Sequence, residues 1–115
     1  MKATIYHNPR CGTSRKTLEI LEQAGAEVTI VDYLNHPPSK AELKRLYDRA
    51  EMSPAEGLRA KEPLADDLDL LSGRVSDDAI LEAMVENPIL IERPIVVNGK
   101  KAALGRPPEA VLEIL

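Results

Sequence analysis

A chain of 115 residues with 43% hydrophobic content is long enough to bury a real core, and its length fits one domain over residues 1–115. The formal charge of −4 argues against a general phosphate-backbone partner. With no Trp, no Phe and three Tyr there is also no aromatic platform for stacked bases, so nucleic acid is not an expected partner. No stretch reaches the ~18 apolar residues of a membrane span, and the N-terminus enters a strand pattern without an apolar leader. The expected location is therefore the cytoplasm, with no membrane partner.

From the N-terminus, Ala3, Ile5 and His7 alternate with Lys2, Thr4 and Tyr6, a period of two that predicts a strand broken by Asn8-Pro9. Leu18, Ile20, Leu21 and Ala24 then recur at helical spacing from Thr13, with Gly25 as the stop. Glu27 to Tyr33 is a second strand, and strand, helix, strand points to a parallel unit. Asn35 to Pro38 reads as a turn. Ser39 with Glu42 makes a capping box for a helix through about Ala50, with Leu43, Leu46 and Tyr47 on one face. Ser53-Pro54-Ala55-Glu56 repeats that signature, with Pro54 at the favoured first helical position. Ser76 caps a further helix carrying Ile80, Leu81, Met84 and Val85 and ending near Asn87-Pro88, so about 39–87 is predicted to be a helical insertion. Ile95 to Val97 and Lys101 to Leu104 flank Asn98-Gly99, a two-residue hairpin signal. Pro107-Pro108 opens a short terminal helix with Ala110, Val111, Ile114 and Leu115.

The chemistry is concentrated where the first strand meets the first helix. Cys11, the only cysteine, falls in the first turn of that helix or just before it, where unpaired N–H groups and the positive dipole end favour an anion. Arg10 and Arg15 add positive charge, Thr13 and Ser14 offer hydroxyl donors, and His7 comes close if the loop folds back. Lowering the thiol pKa from about 8.5 to about 6.5 would raise the thiolate fraction at neutral pH from a few per cent to roughly three quarters. Cys11 is thus the candidate nucleophile. A lone cysteine forbids an internal disulfide, and with two histidines the chain offers no structural zinc set, so no metal is expected.

Three arginines stand out among the 15 Lys and Arg residues. Arg93 interrupts the apolar run from Ile89 to Val97 and precedes Pro94, which restricts it to extended geometry. A guanidinium between apolar segments calls for an anionic partner. Arg106 follows Gly105 after the last strand, and Arg59 lies in Gly57-Leu58-Arg59-Ala60-Lys61. Three such forks can hold a tetrahedral oxyanion by charge-assisted bonds that lysine reproduces less well.

These residues, His7-Asn8-Pro9-Arg10-Cys11-Gly12-Thr13-Ser14-Arg15, Arg59 with its flank, Asn87 to Val97 and Gly105-Arg106-Pro107-Pro108, resemble the glutaredoxin-dependent, ArsC-type arsenate reductases over essentially the whole chain. The resemblance implies an α/β fold, a thioredoxin-like mixed sheet with a helical insertion. It implies Cys11 as the catalytic nucleophile, Arg59, Arg93 and Arg106 as the substrate-binding oxyanion clamp, His7 and Ser14 as supports of the thiolate, and Pro94 as a structural cis-proline. Arsenate or a similar oxyanion would be the substrate. Because this chain has no second thiol, glutathione would act as cosubstrate and glutaredoxin as the recycling partner, with no bound cofactor or metal. Two other readings compete. A thioredoxin-like regulatory module would use a Cys-x-x-Cys switch, whose fourth position here is Ser14; a monothiol reductase of glutathionylated substrates would use the Cys11-Gly12-Thr13-Ser14 motif. Neither gives the arginine set an obvious use.

Overall fold

The computed structural model describes residues 1–115. Strands β1 (Lys2–Tyr6), β2 (Glu27–Val31), β3 (Ile95–Asn98) and β4 (Lys101–Leu104) form one sheet in the order β2-β1-β3-β4. β1 runs parallel to β2, with Ile5 opposite Ile30, and antiparallel to β3, with Ile5 opposite Val96. Helix α1 (Gly12–Gln23) connects β1 to β2, and α2 (Lys40–Arg49), α3 (Pro63–Asp67) and α4 (Asp77–Glu86) all fall between β2 and β3. A mixed four-stranded sheet carrying this helical insertion is the thioredoxin-like α/β arrangement.

Both faces of the sheet are covered, so the strand alternation does not separate an inside from an outside. Ala3, Ile5 and Val96 face α1 and the C-terminal segment, where Leu21 and Val111 complete a fully buried cluster. Tyr6 and Ile95 face the insertion, packing with Leu43, Leu46, Tyr47, Ile80, Leu81 and Met84. Each fully buried aliphatic side chain contributes about 1.5–3 kcal/mol. Tyr6 resolves its polar end by donating from its hydroxyl to Glu42 Oε2 at 2.9 Å.

Local chemistry explains most boundaries. Ser39 accepts from the Glu42 N–H at 3.1 Å, and Ser76 from Ala79 N–H at 3.2 Å, so both caps satisfy orphan donors of α2 and α4. The inward stripe of α1 is Ser14, Thr17 and Leu21 rather than an all-apolar one. Thr17 meets its own need by donating to the Thr13 carbonyl at 2.8 Å.

Four elements depart from the sequence reading. β2 stops at Val31, because Asp32 to His36 folds into a turn closed by the His36 N–H donating to the Asp32 carbonyl at 2.8 Å. The Ser53 box forms, with Glu56 N–H to Ser53 Oγ at 3.3 Å and Ser53 N–H to Glu56 Oε1 at 3.1 Å, yet only one turn follows. Gly57 ends it by passing under the Tyr47 ring, and the helix of this region is instead α3, opened by Pro63. The hairpin turn is Gly99-Lys100, one residue later than expected. Asn98 pairs with Lys101 inside the ladder while its Nδ2 donates to the Ile114 carbonyl at 2.7 Å, and Gly99 supplies the positive φ of +60°. The chain ends in a 3₁₀ segment, Pro108–Ile114, in which Val111 alone is fully buried. No helix is long and apolar enough to cross a membrane.

A Cβ on Gly57 would stand 2.3 Å from Tyr47 Cε1. Gly57→Ala should therefore destabilise the protein by about 1–3 kcal/mol through overpacking, read as a lower urea midpoint at unchanged m-value; a stability equal to wild type would show that Tyr47 yields freely.

Candidate active site

The loop after β1 is built to present a thiol at a helix start. His7 N–H continues the ladder by donating to the Val31 carbonyl at 2.9 Å, and Asn8 then closes a tight turn by accepting from the Cys11 N–H at 3.0 Å and, through Oδ1, from the Arg10 N–H at 3.0 Å. Cys11 is the N-cap of α1, extended at φ −95° and ψ 121°, and is partly exposed. Burial pushes its thiol pKa up. The Ser14 amide, the Arg93 charge, the Thr13 amide and the Arg106 charge outweigh that and hold it below its ordinary value. Arg106 donates from Nη2 towards Cys11 Sγ at 3.6 Å.

The cations that act on the thiol are thus Arg93 and Arg106, from the far side of the chain, rather than its neighbours Arg10 and Arg15. Arg15 is spent on the loop, donating to the Pro9 carbonyl at 2.8 Å. Its charge falls on His7, whose pKa is lowered first by burial and then by Arg15, so the imidazole is neutral at pH 7. His7 Nδ1 lies 2.6 Å from Ser14 Oγ, which also accepts from the Asn8 N–H at 3.1 Å. Ser14 is fully buried, and the pair pins the loop to the first turn of α1.

Three arginines from separate segments line one cavity of about 430 Å³, together with Leu58, Ala60, Lys61 and Glu92. Backbone pairing brings them there. Leu58 and Ile91 form an isolated antiparallel bridge, with Arg59 N–H to the Leu90 carbonyl and Glu92 N–H to the Gly57 carbonyl, both at 2.8 Å. Gly105 N–H donates to the Pro94 carbonyl at 2.9 Å, and Arg106 Nε to the Arg93 carbonyl at 2.7 Å. The Arg93–Pro94 peptide is cis, as is Arg106–Pro107, which the sequence reading did not anticipate. Gly105 is glycine for space: a Cβ there would lie 2.7 Å from Thr17 Oγ1 and 2.8 Å from Pro94 Cγ. Arg93 Nε is buried with no hydrogen-bond partner.

Two residues of the site escaped the sequence reading. Glu92 Oε1 accepts from Arg93 Nη1 at 2.8 Å and pairs with Arg106 Nε at 3.2 Å, so a carboxylate sits among the guanidiniums. The adjacent opposite charge was its only signal. Tyr33 is buried beside the site, its pKa raised by burial against the pull of Arg93, a hydrogen bond with Asn8, and Arg59. An aromatic at a strand end carries no signal distinguishing it from core.

A capping thiol of lowered pKa thus lies beside a guanidinium-lined cavity, mounted on a thioredoxin-like sheet. The chain belongs to the ArsC family, whose model matches residues 6–114. It is 49% identical over 112 residues to the uncharacterized protein YfgD of Escherichia coli K12, spanning 96% of this chain and 94% of that one. It is 47% identical to an arsenate reductase of Rhizobium meliloti, covering all of this chain and 82% of the relative. Among solved structures, an arsenate reductase from Vibrio cholerae superposes with a TM-score of 0.96 at 49% identity, covering 100% of this chain and 98% of the other.

The alkylation rate of Cys11 by iodoacetamide should titrate with a midpoint below the free-thiol value of about 8.5, and Arg93→Gln should move that midpoint up by removing a charge that favours the thiolate. A midpoint unmoved by Arg93→Gln would assign the lowered pKa to the helix amides and Arg106.

Proposed function

We propose that this protein reduces arsenate to arsenite, with Cys11 as the nucleophile and Arg59, Arg93 and Arg106 holding the oxyanion. The observation that carries the reading is the thiol of lowered pKa 3.6 Å from Arg106 Nη2, next to a cavity lined by Arg59, Arg93 and Arg106. The arsenate reductases of Rhizobium meliloti and Vibrio cholerae, alike over this whole chain, support it. The Cys11 thiolate attacks arsenic and an arsenic-bound oxygen leaves as water, giving a sulfur–arsenic bond. The guanidiniums stabilise the charge that shifts onto the remaining oxygens. A glutathione thiol then joins the Cys11 sulfur in a disulfide, the two electrons stay with arsenic, and arsenite departs.

Glutathione is the expected second thiol because the chain has none of its own, and glutaredoxin is the expected reductant of the resulting mixed disulfide. That dependence fits the reducing environment of the cytoplasm. His7 and Ser14 hold the loop that aims the thiol, and no metal or bound cofactor is required by this scheme.

Turnover should be followed as NADPH consumption with arsenate, glutathione, glutathione reductase and glutaredoxin, beside a parallel reaction in which a glutathionylated peptide replaces arsenate. Cys11→Ser should leave the fold intact and abolish arsenate turnover, since a hydroxyl forms no mixed disulfide. Residual activity above about a tenth of wild type, on the order of 1.4 kcal/mol, would remove Cys11 from the role. Faster turnover of the peptide than of arsenate would favour the monothiol reductase.

Arg93→Lys keeps the charge and loses the planar fork. Arsenate turnover should fall tenfold or more, about 1.4 kcal/mol or greater in transition-state stabilisation, while the exposed control Arg49→Lys should change almost nothing. Equal, negligible effects at both positions would mean the clamp is misassigned.

A further inference from the structure

We propose that Glu92 sets the specificity of the clamp by selecting oxyanions that carry a hydroxyl over fully deprotonated ones such as sulfate; this rests on the oxyanion reading of the cavity given above. Glu92 lines the cavity with the arginines and is not at its rim, its side chain being 21% exposed against 13% for Arg93 and 33% for Arg106. Its contacts are one-sided. Oε1 accepts from Arg93 Nη1 at 2.8 Å and from the Arg93 backbone N–H at 3.4 Å and stands 3.2 Å from Arg106 Nε, whereas no donor of the chain reaches Oε2. A carboxylate in the wall of the cavity weakens its hold on an anion that presents only bare oxygens, since like charges in a shielded site repel.

The arrangement is useful to an anion that brings its own proton. Arg59, Lys61 and Arg93 offer donors to unprotonated oxygens, while Glu92 Oε2 accepts from a hydroxyl on the same tetrahedral centre. Hydrogen arsenate and hydrogen phosphate are dianions with one hydroxyl. Sulfate is a dianion of the same shape and charge with none, so it must place a bare oxygen against the carboxylate. A site built to hydrogen-bond a hydroxyl rejects the analogue lacking it far more strongly than an apolar pocket rejects a change of size. The same carboxylate also tethers Arg93 to Arg106 before any anion arrives, which presets the spacing of the two forks.

The test is protection of Cys11 from iodoacetamide near neutral pH and at fixed ionic strength, with phosphate or sulfate as the protecting anion and the extent of alkylation read by mass. No turnover or second thiol is involved, and comparing two anions on one protein cancels any change in the reactivity of the thiol itself. In wild type, phosphate should protect at a concentration about tenfold or more below that of sulfate. In Glu92→Gln, whose amide can donate as well as accept, the two anions should come within about twofold of each other, while Glu92→Asp should keep a preference for phosphate. Equal protection by both anions in wild type, or a preference unchanged in Glu92→Gln, overturns the role of Glu92 and leaves the clamp standing. Protection by neither anion in either protein overturns the clamp, and this proposal with it.

Discussion

The backbone of Leu90 to Pro94 is the template on which the site is assembled. Within five residues it bonds the Arg59 N–H through the Leu90 carbonyl, the Gly57 carbonyl through the Glu92 N–H, Arg106 Nε through the Arg93 carbonyl and the Gly105 N–H through the Pro94 carbonyl. These bonds join three stretches that are far apart in sequence, one of them inside the helical insertion. A backbone bond places the next side chain to within a fraction of an ångström, which long, flexible arginines could not do by charge alone. The sheet supplies the anchor, because Ile95 continues directly into β3 and is buried against Tyr6 of β1.

Charge is the second constraint. Guanidiniums gathered around one cavity repel one another, and the fold offsets this locally: Glu92 bridges Arg93 and Arg106, while Glu62 stands 3.5 Å from Arg59. A thiolate at Cys11 adds a further anion. The lowered thiol pKa and the tolerance for clustered arginines are thus two descriptions of the same interaction. His7 stays out of this exchange because burial and Arg15 keep it neutral, leaving it a hydrogen-bonding strut for Ser14.

Much of this was legible in the residues. Period and caps locate the four strands, α1, α2 and α4, and the lone cysteine falls at the strand–helix joint, where it caps α1. What the sequence could not show is long-range. The capping box at Ser53 is a local signal that formed as read, yet the ring of Tyr47 decides where the chain goes next. Proximity in sequence makes Arg10 and Arg15 the visible candidates to act on the thiol, whereas Arg93 and Arg106 reach it from more than 80 residues further along the chain. Asn98 was placed in a turn by its residue type and sits in a strand because its amide has a partner in the C-terminal segment.

The scarcity of aromatic residues has a consequence for how the molecule can be watched. With no tryptophan or phenylalanine, its near-ultraviolet dichroism comes from three tyrosines, all buried: Tyr6 under α2, Tyr47 over Gly57 and Tyr33 beside the arginines. Each reports a different layer of the fold. Tyr33 alone lies within the electrostatic reach of Arg59, Arg93 and Cys11. A change in charge at one of these three groups therefore enters the spectrum chiefly through Tyr33, whereas Tyr47 feels the cavity through Glu92 and Tyr6 answers to Glu42 and the arginines of α2.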